Sequence, residues 1–122
     1  MKIINTSAIL QPNLPLILEH VEARGMSLLS NGHLGADLIY LLPNQSFPTH
    51  THPADHLLLV LQGAGTITIA GEVYQTKLGD LYMVEGGVEH SVGASADGHY
   101  LLSIGAPHIN LDDPSRMQLS ET

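Results

Sequence analysis

Residues 50–65 decide the fold, and they read HTHPADHLLLVLQGAG. In an extended chain, side chains two residues apart point to the same face, so His50 and His52 can present their imidazoles to one ion. Pro53 cannot continue a hydrogen-bonded ladder and indicates a turn. After this turn His56 opens an apolar strand, which can bring a third imidazole back beside the first two. The stretch therefore predicts β-structure that clamps a metal ion.

Short runs rich in Leu, Ile, Val and Tyr alternate with Gly, Pro and Asn along the rest of the chain. This pattern is typical of an all-β sandwich or barrel. A tight hairpin is predicted at Gly71, because glycine adopts the positive φ that such turns require. A short helix is predicted from Pro114 to about Leu119, capped by Asp112 or Asp113. The predicted strands cover residues 34–42, 56–62, 65–70, 72–77, 80–84 and 99–104.

The composition favours one globular domain and excludes several kinds of partner. The chain has 122 residues, of which 43% are hydrophobic and 13% are charged. It carries 4 Lys+Arg against 12 Asp+Glu, a formal net charge of -8, and the basic residues are scattered. We therefore expect neither nucleic acid nor a membrane surface as a partner.

Cysteine is absent, which excludes disulfides, thiolate metal ligands and iron–sulfur clusters. The longest apolar run, residues 57–61, is far shorter than the roughly 20 residues of a membrane span. The N-terminal residues lack the continuous apolar stretch of a signal peptide. The sequence therefore predicts a cytoplasmic protein in which any metal is bound by nitrogen and oxygen.

Histidine is unusually frequent, with 8 residues against 4 Lys+Arg. A fourth patterned histidine, His90, follows Gly79 and Gly87, and the fold must bring it to the other three. Imidazole nitrogens suit late first-row divalent ions, whereas Mg²⁺ and Ca²⁺ prefer oxygen ligands.

At these residues the chain resembles the cupin superfamily, specifically its small single-domain members. The first cupin motif, G-x5-H-x-H-x3-4-E-x6-G, matches at His50, His52 and Gly63. The second, G-x5-P-x-G-x2-H-x3-N, matches at Gly79, Gly87 and His90. The resemblance extends more loosely over residues 34–106. It implies a double-stranded β-helix, or jelly-roll barrel, with a metal ion inside.

Several positions depart from the cupin motifs. Asn44 replaces the leading Gly of the first motif, while Glu85 and Ala94 replace the Pro and Asn of the second. His56 occupies the position of the metal-binding Glu. The resemblance therefore implies a shell of four neutral imidazoles around one divalent Fe, Mn, Ni, Cu or Zn ion. Such a shell leaves the full 2+ charge of the ion, which favours a bound hydroxide or an anionic substrate. The implied ligands are His50, His52, His56 and His90.

The sequence also allows alternatives to this set of four histidine ligands. The four histidines can be unrelated polar residues or belong to a metal-free cupin, and Asp55 can replace His56 as a ligand. Glu85 and Glu89 flank the second motif and either orient a ligand or lie exposed in a loop. The remaining histidines match no ligand position and are expected at the surface or in structural hydrogen bonds, with His99 the best candidate for a place inside the barrel. They are His20, His33, His99 and His108.

Residues that line a substrate pocket are predicted from strand geometry. If His56 points into the barrel, Leu58 and Val60 do so as well, because strands have a period of two. Aromatic and apolar residues elsewhere on the predicted strands are further candidates. The complete set of pocket candidates is Tyr40, Phe47, Leu58, Val60, Tyr82, Met83 and His99.

The resemblance implies a metal-dependent enzyme, with dioxygenase-like chemistry favoured, that acts on a small oxygenated or anionic organic substrate. A non-redox isomerase, cyclase or lyase and a non-catalytic ligand-binding protein are the alternatives. Residues 34–106 would form the barrel, and residues 107–122 the C-terminal tail. Residues 1–33 would supply N-terminal strands and a dimerisation segment, because small cupins usually pair as homodimers.

Overall fold

The alternating apolar runs form two antiparallel sheets. The computed structural model describes residues 1–120, which contain a 3-10 helix at Thr6–Ile9 and eleven strands. The strands are β1 Leu16–Ile17, β2 Ala23–Ser30, β3 Gly35–Leu41, β4 His50–Thr51, β5 Asp55–Gln62, β6 Gly65–Ile69, β7 Glu72–Thr76, β8 Leu81–Val84, β9 His90–Ala94, β10 His99–Ala106 and β11 Gln118–Leu119. The all-β prediction is confirmed, and each of the six predicted strands is present with bounds shifted by at most two residues.

The two sheets face each other as the halves of a jelly roll. The first has six strands in the order β1-β2-β3-β10-β5-β8, and the second has five in the order β11-β4-β9-β6-β7. The hairpin between β6 and β7 turns at Ala70 and Gly71, with φ of 52° and 80°. Two successive positive φ angles match the twist of a two-residue hairpin, so the prediction at Gly71 is confirmed.

Alternate residues of the first sheet point towards the second and form the main core. On β5 the inward residues are His56, Leu58 and Val60, while Leu57 and Leu59 point to the outer face. The main core contains the buried apolar residues Ala23, Ile39, Leu41, Leu58, Val60, Ile67, Val84, Val92 and Leu101. The inward position of His56 is therefore fixed by the same alternation that buries the core.

The outer face of the first sheet is partly covered by the N-terminal segment. Leu14 is fully buried there against Leu38 and Tyr100, and Ile9 and Leu10 pack around this second cluster. Part of the apolar N-terminal segment thus finds its partner within the chain.

The predicted C-terminal helix is wrong. Residues 111–116 form turns, in which Asp113 accepts hydrogen bonds from the backbone N–H of Ser115 at 2.9 Å and of Arg116 at 3.1 Å. The chain then extends as β11, which pairs with β4. Burial of the Arg116 side chain against Asp37 holds this segment in the barrel, and such tertiary contacts override local helix propensity. Of the predicted tail 107–122, residues 121 and 122 lie outside the described part.

None of the helices in residues 1–120 has the length and apolar character needed to cross a membrane.

Candidate metal centre

Four histidines gather between the sheets at one end of the barrel. His50 on β4 lies directly opposite His90 on β9 in the strand register, and their ring centroids are 4.3 Å apart. His52 follows β4, with its ring centroid 4.6 Å from that of His50 and 4.7 Å from that of His90. One ligand atom from each of these three residues lies within 4.8 Å of the others. Their spacing fits three ligands of a single ion.

Backbone carbonyls orient two of these rings in the same way. His50 Nδ1 lies 2.6 Å from the carbonyl oxygen of Pro48, and His90 Nδ1 lies 2.9 Å from that of Val88. In each ring Nδ1 therefore carries the proton, and Nε2 keeps its lone pair for a metal ion. A carbonyl that fixes the tautomer of a histidine is a common support for a metal ligand.

His56 lies next to these three histidines, but it does not belong to the group whose ligand atoms are all within 4.8 Å of one another. Its Nδ1 lies 3.1 Å from Nδ1 of His52, but the group with mutually close ligand atoms contains only His50, His52 and His90 within residues 1–120. Two adjacent ligands of an ion with bonds of about 2.1 Å are separated by about 3.0 Å. The contact between His52 and His56 is thus compatible with neighbouring positions on one ion.

Gly105 on β10 makes room for His56. A Cβ at residue 105 would lie 2.6 Å from His56 Cδ2 and 2.7 Å from its Nε2. Gly105 is the register partner of His56 on β5 and of Gly35 on β3. The imidazole therefore lies against bare backbone, which leaves its Nδ1 facing His52.

Burial keeps these imidazoles neutral. It lowers the pKa of His50 from 6.5 to about 4, an effect that the bond to Pro48 opposes. Burial also lowers the pKa of His56 to about 4, with a further contribution from the nearby Arg116. The pKa of His52 falls to about 2 through burial and its histidine neighbours, and that of His90 is lowered by burial. Neutral imidazole is the form that binds metal, so the donor set suits a divalent transition-metal ion.

The four histidines line one cavity of about 190 Å³. Apolar side chains from both sheets form much of its wall, and the turn at residues 111–117 and β1 with the residues after it form its mouth. This volume is below the usual range of about 300–1,000 Å³ for sites that hold drug-sized ligands. The wall and mouth are lined by Ile17, Leu18, Glu19, His20, Ile39, Phe47, Leu58, Val92, Leu101, Ser103, Leu111, Asp112, Asp113, Pro114, Arg116 and Met117.

Of the seven predicted pocket residues, Phe47 and Leu58 line this cavity and the other five do not. Tyr40 and Met83 fall on the outer face of the first sheet, because strand alternation turns them away from the barrel. Val60 and Tyr82 point inward but pack in the main core. His99 is fully buried at the start of β10, beyond Leu101 from the cavity.

The structure also shows where the other polar candidates lie. Asp55 points away from the cavity, and its carboxylate accepts a hydrogen bond from the backbone N–H of Gly86 at 2.7 Å, so it is not the ligand that replaces His56. Glu85 and Glu89 are exposed loop residues. Among the other histidines, His33 is exposed, His20 lies at the mouth of the cavity and His108 is in a structural hydrogen bond.

A buried ionic network next to the histidines was not predicted. Asp37 Oδ2 accepts hydrogen bonds from Arg116 Nη1 at 2.8 Å and from His108 Nε2 at 2.9 Å. Arg116 Nη2 lies 3.4 Å from Ser103 Oγ. The one signal in the sequence is a carboxylate at Asp37, two residues before Ile39 and therefore on the same inward face of an apolar strand. Nothing in the sequence pairs it with Arg116, which lies 79 residues away.

Comparison with known families decides the identity of the fold. A family model described as Cupin domain (Cupin_2) matches residues 37–104, more than half of the chain. The chain belongs to the cupin family. The resemblance at the two histidine motifs is thereby confirmed at the level of the family.

Solved structures agree with the cupin fold. This cupin is similar to TT1209 from Thermus thermophilus, with a TM-score of 0.73 and 23% identity over 88% of this chain and 98% of that one. It is also similar to an uncharacterized conserved protein with a double-stranded β-helix domain from Klebsiella pneumoniae, with a TM-score of 0.73 and 18% identity over 100% and 99% of the two chains. For KdgF from Halomonas sp. the TM-score is 0.68, with 18% identity over 72% and 81%. At these identities the similarity concerns the fold alone. A search of the curated proteins found no match.

Proposed function

We propose that this cupin binds one divalent transition-metal ion through His50, His52, His56 and His90 and acts as a metal-dependent enzyme on a small anionic organic substrate. The observation that carries the proposal is the convergence of four neutral imidazoles on one cavity, of which those of His50, His56 and His90 are buried and that of His52 is half-buried. Imidazole nitrogens that face a cavity need polar partners, and a metal ion supplies one to each of them.

Each set of cavity residues has a distinct part in this function. The four imidazoles hold the ion, which supplies Lewis acidity or redox capacity when bound. Phe47, Leu58 and Val92 exclude water from the substrate and pack against its hydrocarbon part. The neutral ligand set leaves the positive charge of the ion uncompensated, which favours an anionic substrate that chelates through oxygen.

Dioxygenase chemistry is the reaction class that we propose. Both oxygen atoms of O2 would be transferred to the substrate: the O–O bond and the carbon–carbon bond next to the carboxylate break, each of the two carbons gains one oxygen, and the substrate supplies the four electrons that reduce O2. The ions compatible with the donor set are Fe, Mn, Ni, Cu and Zn, and all except Zn can take part in redox steps.

Metal analysis followed by O2 uptake tests this proposal. The protein would be purified without a histidine tag, its metal content measured, and the metal-free form reconstituted with each of the five ions in turn. We expect about one ion per chain and O2 consumption with a redox ion and a small 2-hydroxy or 2-oxo acid. A zinc protein that converts such acids without consuming O2 would assign a non-redox reaction. Protein that binds none of the five ions would contradict the proposal.

His56→Glu tests whether the all-imidazole shell matters. A carboxylate lowers the net charge of the site from 2+ to 1+, which raises the pKa of a metal-bound water and stabilises the oxidised form of a redox ion. We expect the variant to bind metal but to lose most activity or to change its metal preference. Wild-type turnover with the same metal preference would show that His56 does not tune the chemistry.

We also propose that the chain forms a homodimer through the outer face of its six-stranded sheet. Leu34, Leu81 and Met83 are 50%, 61% and 56% exposed next to the part that the N-terminal segment covers. Light scattering of the wild type should give twice the monomer mass, and Met83→Glu should shift it towards the monomer. A monomeric wild type would contradict this assembly.

A further inference from the structure

Arg116 is the one lysine or arginine that lines the cavity, as far as residues 1–120 show. Its side chain is only 9% exposed, and it enters from the C-terminal turn beside the histidines. Glu19, Asp112 and Asp113 also line the cavity, but all three are exposed residues, and water screens their charges. Within residues 1–120 the guanidinium is therefore the one buried cation of the wall, and it is paired there with Asp37.

The Arg116 guanidinium has more N–H groups than hydrogen-bond partners. It carries five N–H hydrogens in a planar fork. Nη1 uses both of its hydrogens, towards Asp37 Oδ2 and the carbonyl oxygen of Ile109, and Nη2 uses one towards Ser103 Oγ at a weak 3.4 Å. Within residues 1–120 no hydrogen bond engages Nε or the second hydrogen of Nη2. These two N–H groups can donate hydrogen bonds to the two oxygens of a carboxylate.

Residues of β10 connect the Arg116 guanidinium with the metal centre. Ser103, its partner on β10, is two residues from Gly105, against which His56 lies. Ser103 is also the register partner of Leu58, a cavity-lining residue.

We infer that Arg116 binds a second carboxylate of the substrate while the first chelates the ion, so that the substrate class is a small dicarboxylate with a hydroxyl or oxo group next to one carboxylate. This inference rests on the proposed function. The charges agree with it, because Asp37 neutralises Arg116 in the free protein and four neutral imidazoles leave the ion at 2+. A dianion matches that charge, and the apolar wall accepts its short carbon chain.

Matched ligands provide the test. Malate and 2-hydroxybutyrate have four carbons each and differ by a carboxylate in place of a methyl, and 2-hydroxyglutarate and 2-hydroxyvalerate form the same pair with five carbons. Binding to the zinc-loaded protein would be measured by calorimetry at fixed ionic strength. One charge-assisted pair of bonds predicts a preference of about 10- to 100-fold for at least one diacid over its matched monoacid.

The variant Asp37→Asn/Arg116→Met removes both charges together, so that neither is left buried alone. We expect it to bind zinc as the wild type does and to lose the preference for the diacid, while Arg116→Lys retains a reduced preference. The control is Lys77→Met/Asp80→Asn, which removes an exposed pair of the same kind, 3.8 Å apart and outside the cavity. A preference that is absent from the wild type, or that persists in Asp37→Asn/Arg116→Met, would overturn the inference.

A metal-free experiment separates this inference from the proposed function. Succinate has two carboxylates but no hydroxyl for chelation, and its effect on the melting temperature would be measured in the presence of a chelator. An increase in the wild type that disappears in Asp37→Asn/Arg116→Met supports carboxylate binding at Arg116 even if no ion binds. Equal behaviour of the two proteins would contradict it, whatever the metal analysis shows.

Discussion

The barrel contains two neighbouring polar clusters, and their polar groups are paired in different ways. In the ionic network Oδ2 of Asp37 accepts hydrogen bonds from Arg116 and His108 at 2.8 and 2.9 Å. In the histidine cluster the rings of His50 and His90 are anchored by backbone carbonyls, and Nδ1 of His52 lies 3.1 Å from Nδ1 of His56. The first cluster pairs its charges within the chain and holds the C-terminal turn in place. The second has the donor set of a metal centre, which is why we propose that it carries the chemistry.

The largest difference between the clusters should appear when a histidine ligand is removed. We expect His50→Ala or His90→Ala to weaken metal binding by more than about 100-fold, since loss of a residue that only supports a ligand already costs about 10–100-fold. Titration of zinc against a competing chelator measures this. His33→Ala, at an exposed position, is the matched control and should bind metal as the wild type does. Equal affinity of the three variants would remove the distinction between the clusters.

Breaking the ionic network should instead lower stability. Arg116→Met leaves Asp37 buried without its main partner, and such a change typically costs about 3–5 kcal/mol in the free energy of unfolding. Asp37→Asn/Arg116→Met should recover much of this loss, because no charge is then left alone. Urea unfolding of the metal-free proteins gives both values. A single variant as stable as the wild type would show that the network contributes nothing to the fold.

Gly105→Ala tests how far the position of His56 depends on the neighbouring strand. The new Cβ would lie 2.6 Å from the imidazole and must displace it, while the other three ligands keep their places. We expect metal affinity to fall by about 10–100-fold, as for the loss of a supporting residue. Gly35→Ala crowds the ring of His108 in the same way and is the matched control outside the metal centre. A larger loss of affinity in Gly35→Ala than in Gly105→Ala would contradict the role of His56.

Acid should destabilise the metal-free protein through the histidine cluster. Above about pH 6.5 these histidines are neutral in both the folded and the unfolded state and add no pH dependence. Between 6.5 and the folded pKa of about 4 for His50 and His56, the unfolded chain binds protons that the folded one does not, so the free energy of unfolding falls as the pH falls. The slope is at most about 1.4 kcal/mol per pH unit for each histidine. Urea unfolding between pH 7 and 4 measures it, and a flat profile would contradict buried neutral imidazoles.

Much of the fold was predictable because it depends on local pattern. Strands with strict alternation, such as β5, and the hairpin at Gly71 follow from period and turn chemistry. The short β4 and β9 were missed as strands, since His50–Thr51 offers two residues of pattern and β9 contains Gly93 and few apolar residues. The prediction of a C-terminal helix was wrong because Asp113 caps only a turn. The burial of Arg116 then determines the path of the chain.

In the candidate site, too, some residues were predictable from the sequence and others were not. The histidine cluster was predictable because fixed spacings in two motifs bring His50, His52 and His90 to one site. The ionic network was not, since Asp37 and Arg116 meet only through the fold. Pocket residues were predictable only in part. Strand period alone cannot say which of the two adjacent residues Tyr82 and Met83 points inward, nor that Tyr82 packs in the core instead of the cavity.

An anomalous difference map, recorded at the zinc absorption edge from crystals grown with zinc, shows directly whether the histidine cluster is a metal centre with four imidazole ligands. We expect one peak per chain, with imidazole nitrogens of His50, His52, His56 and His90 at about 2.0–2.1 Å from it. A peak outside the cluster, no peak at all, or an ion held by His50, His52 and His90 with His56 turned away would contradict the four-histidine centre.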